Sequence, residues 1–144
     1  MPALRVLIFE DDDSIRSILW SFFDGRGYEV FTFPHPGTCP LSETSVCKCL
    51  LDEACTDIIV SDLNMPSKKG IVFLQEQIAK GCRCRHLALM SGEFHPEDIE
   101  KASNLGIKVF NKPFSLIDIE NWLLDIEKKI EPARKLSDWY IKKP

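Results

Sequence analysis

A doubly wound α/β sheet is the fold class predicted for this 144-residue chain. Three observations predict it. Short, continuous apolar runs alternate with segments whose apolar residues recur at helical spacing. The apolar runs read as strands covered on both faces, as parallel strands are. The acids, one lysine and one serine that stand out chemically all fall where a run ends, and in such sheets sites form outside the carboxyl ends of the strands.

Taken in order, residues 4–9, 28–33, 57–61, 86–90 and 107–110 read as strands. Ser14 to Asp24 carries Ile15, Ile18, Leu19, Phe22 and Phe23 at helical spacing and is stopped by Gly25 and Gly27. A second helix is expected over about residues 42–53, entered through a loop rich in turn residues (Pro34, Pro36, Gly37, Pro40). Residues 70–80 place Ile71, Leu74 and Ile78 on one stripe, with Gly81 as the stop. Residues 97–105 form a short helix closed by Gly106, and residues 115–130 a longer one with Leu116, Ile119, Leu123, Ile126 and Ile130 facing inward. The βα unit therefore repeats five times, and right-handed crossovers put helices on both faces.

Composition narrows the function classes. Apolar content of 44% and charged content of 28% suit one ordinary globular domain. A net charge of −4 gives no reason to expect nucleic acid or a membrane surface as partner. The run 4–9 is too short for a signal-peptide core, and no apolar run approaches the ~18 residues of a membrane span. A cytoplasmic location with its six cysteines reduced is expected. From Glu131 onward bases outnumber acids, which hints at docking on the acidic body, although solvation of the tail charges is the preferred reading.

Asp62 ends an apolar strand, and Glu10, Asp11, Asp12 and Asp13 follow another. Carboxylates gathered at a buried edge are unfavourable unless a cation or a covalent modification neutralises them. Asp12 and Asp13 have a simpler role, capping the first helix.

Four segments carry a resemblance. Val6-Leu7-Ile8-Phe9-Glu10-Asp11, Ser61-Asp62-Leu63-Asn64-Met65-Pro66 with Gly70, Met90-Ser91-Gly92-Glu93, and Asn111-Lys112-Pro113-Phe114 resemble, in order and spacing, the receiver domains of bacterial two-component response regulators. The resemblance implies a flavodoxin-like (βα)5 fold of strand order 2-1-3-4-5. It also implies a receiver over residues 1–130, and a 131–144 tail too short for an output domain.

Asp62 would accept a phosphoryl group in line as an acyl phosphate. Mg2+ (or Mn2+) would be held by Asp11, Asp62, the Asn64 backbone carbonyl and, through water, Glu10. Lys112 would pair with Asp62 and then with a phosphoryl oxygen, Ser91 would hydrogen-bond another, and Gly92 would leave room. A cis Lys112-Pro113 bond is implied as well. The partners would be a sensor histidine kinase or phosphotransfer protein and a downstream effector. The protein would not be a turnover enzyme, only assisting its own phosphorylation and dephosphorylation.

Val109 stands where that family carries an aromatic or His. Phe110, next to it, points to the opposite face by strand alternation.

A phosphatase of the haloacid dehalogenase type is disfavoured, because its D-x-D nucleophile motif does not match Glu10-Asp11-Asp12. A third class is a metal- or redox-sensing module on the same fold. His35, Cys39, Cys47, Cys49 and Cys55 lie between the second and third strands, and Cys82 and Cys84 precede the fourth. They have zinc or iron–sulfur donor types, but the spacing matches no strong template, and buried thiols acting as small apolar residues are the commoner case. Cys55, Cys82 and Cys84 are expected at the amino-terminal edge of the sheet, away from Asp62. Leu136, Trp139 and Tyr140 in the tail are expected to dock on the body.

Overall fold

The computed structural model describes residues 3–36, 53–66 and 68–137. The strands β1 (Arg5–Phe9), β2 (Glu29–Phe33), β4 (Ile58–Asp62), β5 (His86–Ser91) and β6 (Lys108–Asn111) form one parallel sheet in the order β2-β1-β4-β5-β6. Counting strands of this sheet alone, that is the expected 2-1-3-4-5 order. The helices are α1 (Asp13–Gly25), α2 (Gly70–Ala79), α3 (Pro96–Asn104) and α4 (Leu116–Lys129). The helix expected over 42–53 lies outside the described residues, apart from Glu53, which belongs to a short strand. Among the described residues no helix is long and apolar enough to cross a membrane.

Strand alternation divides the core in two. Leu7, Phe9, Ile59, Leu87 and Leu89 face a cluster closed by Ile71, Phe73 and Leu74 of α2 and Ala102 of α3. Val6, Ile8, Ile58, Val60, Ala88 and Met90 face the other, closed by Leu19 and Phe23 of α1 and Ile119, Leu123 and Ile126 of α4. Burial on both sides is why β1, β4 and β5 are continuously apolar rather than alternating. Phe110 packs in the second cluster and Val109 against the first, the opposition that strand alternation requires.

Three residues assigned to inward stripes are exposed: Ile18, Ile78 and Leu116. In α2 the inward set is Gly70, Phe73, Leu74 and Gln77 with Ile71, so Ile78 sits one step round the helix from the stripe. Ile18 likewise flanks the buried Leu19, and Leu116 occupies the first residue of α4, beyond the cover of the sheet.

The caps follow the sequence. Asp12 accepts from the Ile15 amide at 3.0 Å, and Ser115 from Ile117 at 3.2 Å. Asp13 opens α1 and pairs with Arg16 at 2.5 Å. Gly106 has φ +72° and ends α3 in a conformation that L side chains rarely adopt.

The tail docks on the body, as expected for Leu136, but its charge departs from expectation. β3 (Glu53–Ala54) and β7 (Lys135–Leu136) pair in parallel as a separate two-stranded sheet, closed by the Ser137 amide on the Ala54 carbonyl at 2.7 Å. Arg134 grips Asp57 with Nε at 2.5 Å and Nη2 at 2.7 Å, so this tail charge is paired rather than solvated. Asp57 is buried and needs the partner. Buried Arg5 completes the joint, donating to the Cys55 and Ser137 carbonyls at 2.9 Å each and to Glu29 at 2.6 Å. Leu136 is half-buried in this arrangement; Trp139 and Tyr140 lie outside the described residues.

Candidate functional site

The carboxyl ends of β1, β4, β5 and β6 lie along one edge and deliver Glu10, Asp62, Ser91 and Lys112 to it. Glu10 is buried directly after β1, Asp62 is buried as the last residue of β4, and Asp11 beside them is exposed. One carboxylate oxygen from each of the three lies within 4.8 Å of the others. Lys112 Nζ spans the group, 2.6 Å from Glu10 Oε1 and 3.1 Å from Asp62 Oδ1. The lysine expected to pair with Asp62 thus holds Glu10 more closely.

Backbone contacts set this geometry. The second Glu10 oxygen accepts from the Asp12 amide at 3.1 Å, and Arg16, one turn into α1, donates to the Glu10 carbonyl at 2.9 Å. Sequence reasoning passed over Arg16, whose only signal was its position one turn after the acidic run. The loop after β4 is pinned by the Leu63 amide on the Met90 carbonyl at 2.8 Å and the Gly70 amide on the Leu63 carbonyl at 2.7 Å. A Cβ on Gly70 would stand 2.1 Å from the Asp62 carbonyl oxygen, so only glycine lets α2 start so close to the acid. The Lys112-Pro113 bond is cis.

The charges are strongly perturbed. Burial, then the Glu10 charge and the hydrogen bond with Asp11, push the Asp62 carboxyl up to about 7 against the pull of Lys112. Asp11 is held below its usual range: burial opposes ionisation, but hydrogen bonds with Asp62 and Glu10 and the Lys112 charge outweigh it. Lys112 is raised despite burial, by Glu10 and Asp62. Three carboxylates face one lysine here, so the site is short of positive charge.

Ser91 is buried at the end of β5. Its Oγ donates to the Glu93 carbonyl at 2.8 Å and accepts from the Glu93 amide at 3.1 Å and the Asn64 side-chain amide at 3.4 Å. Gly92 has open space around its missing Cβ.

Among the described residues, Glu10, Asp11 and Asp62 are the one group of three donors within reach of a single ion. Three hard carboxylate oxygens, one of them on the exposed Asp11, suit a small divalent cation that keeps part of its water shell. The cysteines make no such cluster there: Cys55 and Cys84 are buried, Cys82 is half-buried, and all three lie at the amino-terminal edge of the sheet as expected. Cys39, Cys47 and Cys49 lie outside the described residues.

No family model matches the chain, and no curated protein matches it in sequence. Solved structures do. The chemotaxis protein CheY4 of Vibrio cholerae shares 24% identity at a TM-score of 0.68, covering 87% of this chain and 99% of that one. The N-terminal domain of an uncharacterised Wolinella succinogenes protein shares 24% at 0.72, covering 88% and 96%. The receiver domain of the Francisella response regulator 1452 shares 21% at 0.71, covering 89% and 99%. This chain therefore has the receiver-domain fold over most of its length.

Proposed function

We propose that this protein is a cytoplasmic phosphoacceptor that takes a phosphoryl group onto Asp62 from a histidine kinase or phosphotransfer protein and signals through altered binding of an effector. The observation that carries the reading is Lys112 Nζ lying between Glu10 and Asp62 in a pocket of three converging carboxylates. Residues 1–130 act as the receiver and 131–144 as a tail.

An Asp62 oxygen attacks phosphorus in line, the bond to the donor imidazole nitrogen breaks, and the imidazole leaves with the electron pair. Lys112 moves from the Asp62 carboxylate to a phosphoryl oxygen while Glu10 keeps its other side. Gly92 leaves room on the Ser91 side. Asp11, Asp62 and the Asn64 carbonyl would hold Mg2+ or Mn2+, with Glu10 through water, and that ion supplies the positive charge the phosphoryl oxygens require. The chain's own part is positioning, and water at the pocket mouth later hydrolyses the acyl phosphate. It is not a turnover enzyme on outside substrates.

The test is incubation with acetyl phosphate, with and without Mg2+. Phosphate should enter the wild type only with Mg2+ and should be absent from Asp62→Asn. Undiminished incorporation in EDTA or in the Asn variant refutes the assignment.

A further inference from the structure

The cysteines at the far edge of the sheet are not used by the phosphoacceptor chemistry, and two of them face each other. Cys55, between β3 and β4, and Cys82, between α2 and β5, bring their Sγ atoms to 3.9 Å across 27 residues of sequence. We propose that Cys55 and Cys82 are a dithiol that low-molecular-weight disulfides oxidise to an intramolecular disulfide, with Cys82 as the attacked residue and Cys55 as the resolving one.

The division of roles follows from exposure. Cys55 is 1% exposed, whereas Cys82 is half-buried in a segment without helix or strand and is reachable from solvent. The backbone of Cys82 is anchored by its amide on the Gln77 carbonyl at 3.0 Å, so closure is mainly side-chain rotation. Bond formation brings sulfurs from 3.9 Å to about 2.0 Å. Cys84, nearby, is excluded by its orientation: its Sγ is turned to the His86 carbonyl at 3.7 Å, whereas Cys55 Sγ faces Cys82.

Taking glutathione disulfide as oxidant, the Cys82 thiolate attacks one of its sulfurs, the S–S bond breaks, and one glutathione thiolate leaves and is protonated. Cys55 gives its proton to solvent, its sulfur attacks Cys82 Sγ, and the second glutathione leaves. Two protein thiols lose two electrons and two protons, and one glutathione disulfide becomes two glutathiones.

The Cys55 carbonyl accepts from Arg5, which also holds the Ser137 carbonyl, so the bridge would tie the α2–β5 loop to the joint that seats the tail. Asp62 lies at the opposite end of β4 from this joint.

The full chain is incubated with glutathione disulfide at pH 8, alkylated with iodoacetamide, and mapped by non-reducing peptide mass spectrometry. A linked Cys55/Cys82 peptide two hydrogens lighter than the sum of its parts is expected, with both cysteines lost from the alkylated pool. Cys55→Ser should stop at a lasting glutathione adduct on Cys82, and Cys82→Ser should leave Cys55 unreacted. If a variant does not fold, pulse alkylation of the wild type reads the order directly: Cys82 must label faster than Cys55. A persistent adduct on wild-type Cys82, a bridge from either residue to another cysteine, faster labelling of Cys55, or no oxidation at all overturns the proposal.

Discussion

Replacing Asp62 by Asn should stabilise the protein in metal-free buffer, against the usual direction for a change at a buried polar residue. The folded state raises the Asp62 carboxyl from 3.8 to about 7, so it binds the proton more tightly than the unfolded chain does. Stability from that proton is fully present below 3.8 and is lost as pH rises through about 7. At 1.36 kcal/mol per pH unit the full displacement corresponds to a ceiling of about 4 kcal/mol. Water and counter-ions reaching the pocket past the exposed Asp11 reduce this to about 1–2 kcal/mol. Urea unfolding followed by tryptophan fluorescence in EDTA should show the Asn variant more stable by that amount at pH 8. The gap should shrink as pH falls toward 5, and Mg2+ should close it by stabilising the wild type. A variant less stable than wild type at pH 8, or a gap independent of pH, would refute the account of the site as short of positive charge.

Gly70→Ala drives a methyl into the Asp62 carbonyl and should cost about 2 kcal/mol or more and slow phosphorylation by misplacing the acid; unchanged thermal stability would contradict the close approach. Arg134→Ala strands the buried Asp57 carboxylate and should cost about 1–3 kcal/mol with little salt dependence, together with faster amide exchange at Ser137, whose N–H closes the β3–β7 pair. Tyr28→Phe removes the 2.6 Å donor to Glu127 and should cost about 1 kcal/mol in denaturant unfolding. The Tyr28 hydroxyl should also stay protonated well above the usual tyrosine range, since burial and the Glu127 charge oppose its ionisation; absorbance titration reads this.

The main sheet was legible because burial on both faces leaves an uninterrupted apolar signature in β1, β4 and β5, and the strand ends then located Glu10, Asp62, Ser91 and Lys112 on one edge. The β3–β7 pair was not legible, since two-residue strands carry no periodicity. Arg134 looked like a solvated tail residue because its partner, Asp57, lies 77 positions earlier, and no local pattern reports a pairing of that span. Arg5 was hidden in the same way: a charge at the start of an apolar strand is ordinary until the carbonyls it must satisfy are known. The preference of Lys112 for Glu10 over Asp62 depends on tenths of an ångström between side chains, which motif order does not encode.

The Ser91 hydroxyl has a single hydrogen to give, and it is already committed to the Glu93 carbonyl. An oxygen arriving beside Ser91 can have that hydrogen only by displacing the Glu93 carbonyl, while Oγ itself stays in place and still accepts from the Glu93 amide. Such an oxygen and the Glu93 carbonyl are therefore rival acceptors for one proton, at the head of the segment from Gly92 to His95. That segment ends at His95, whose amide is held by Asp98 in the first turn of α3 at 3.2 Å. The contest for this hydrogen therefore links the edge that carries Asp62 to the segment leading into α3, with no aromatic side chain involved.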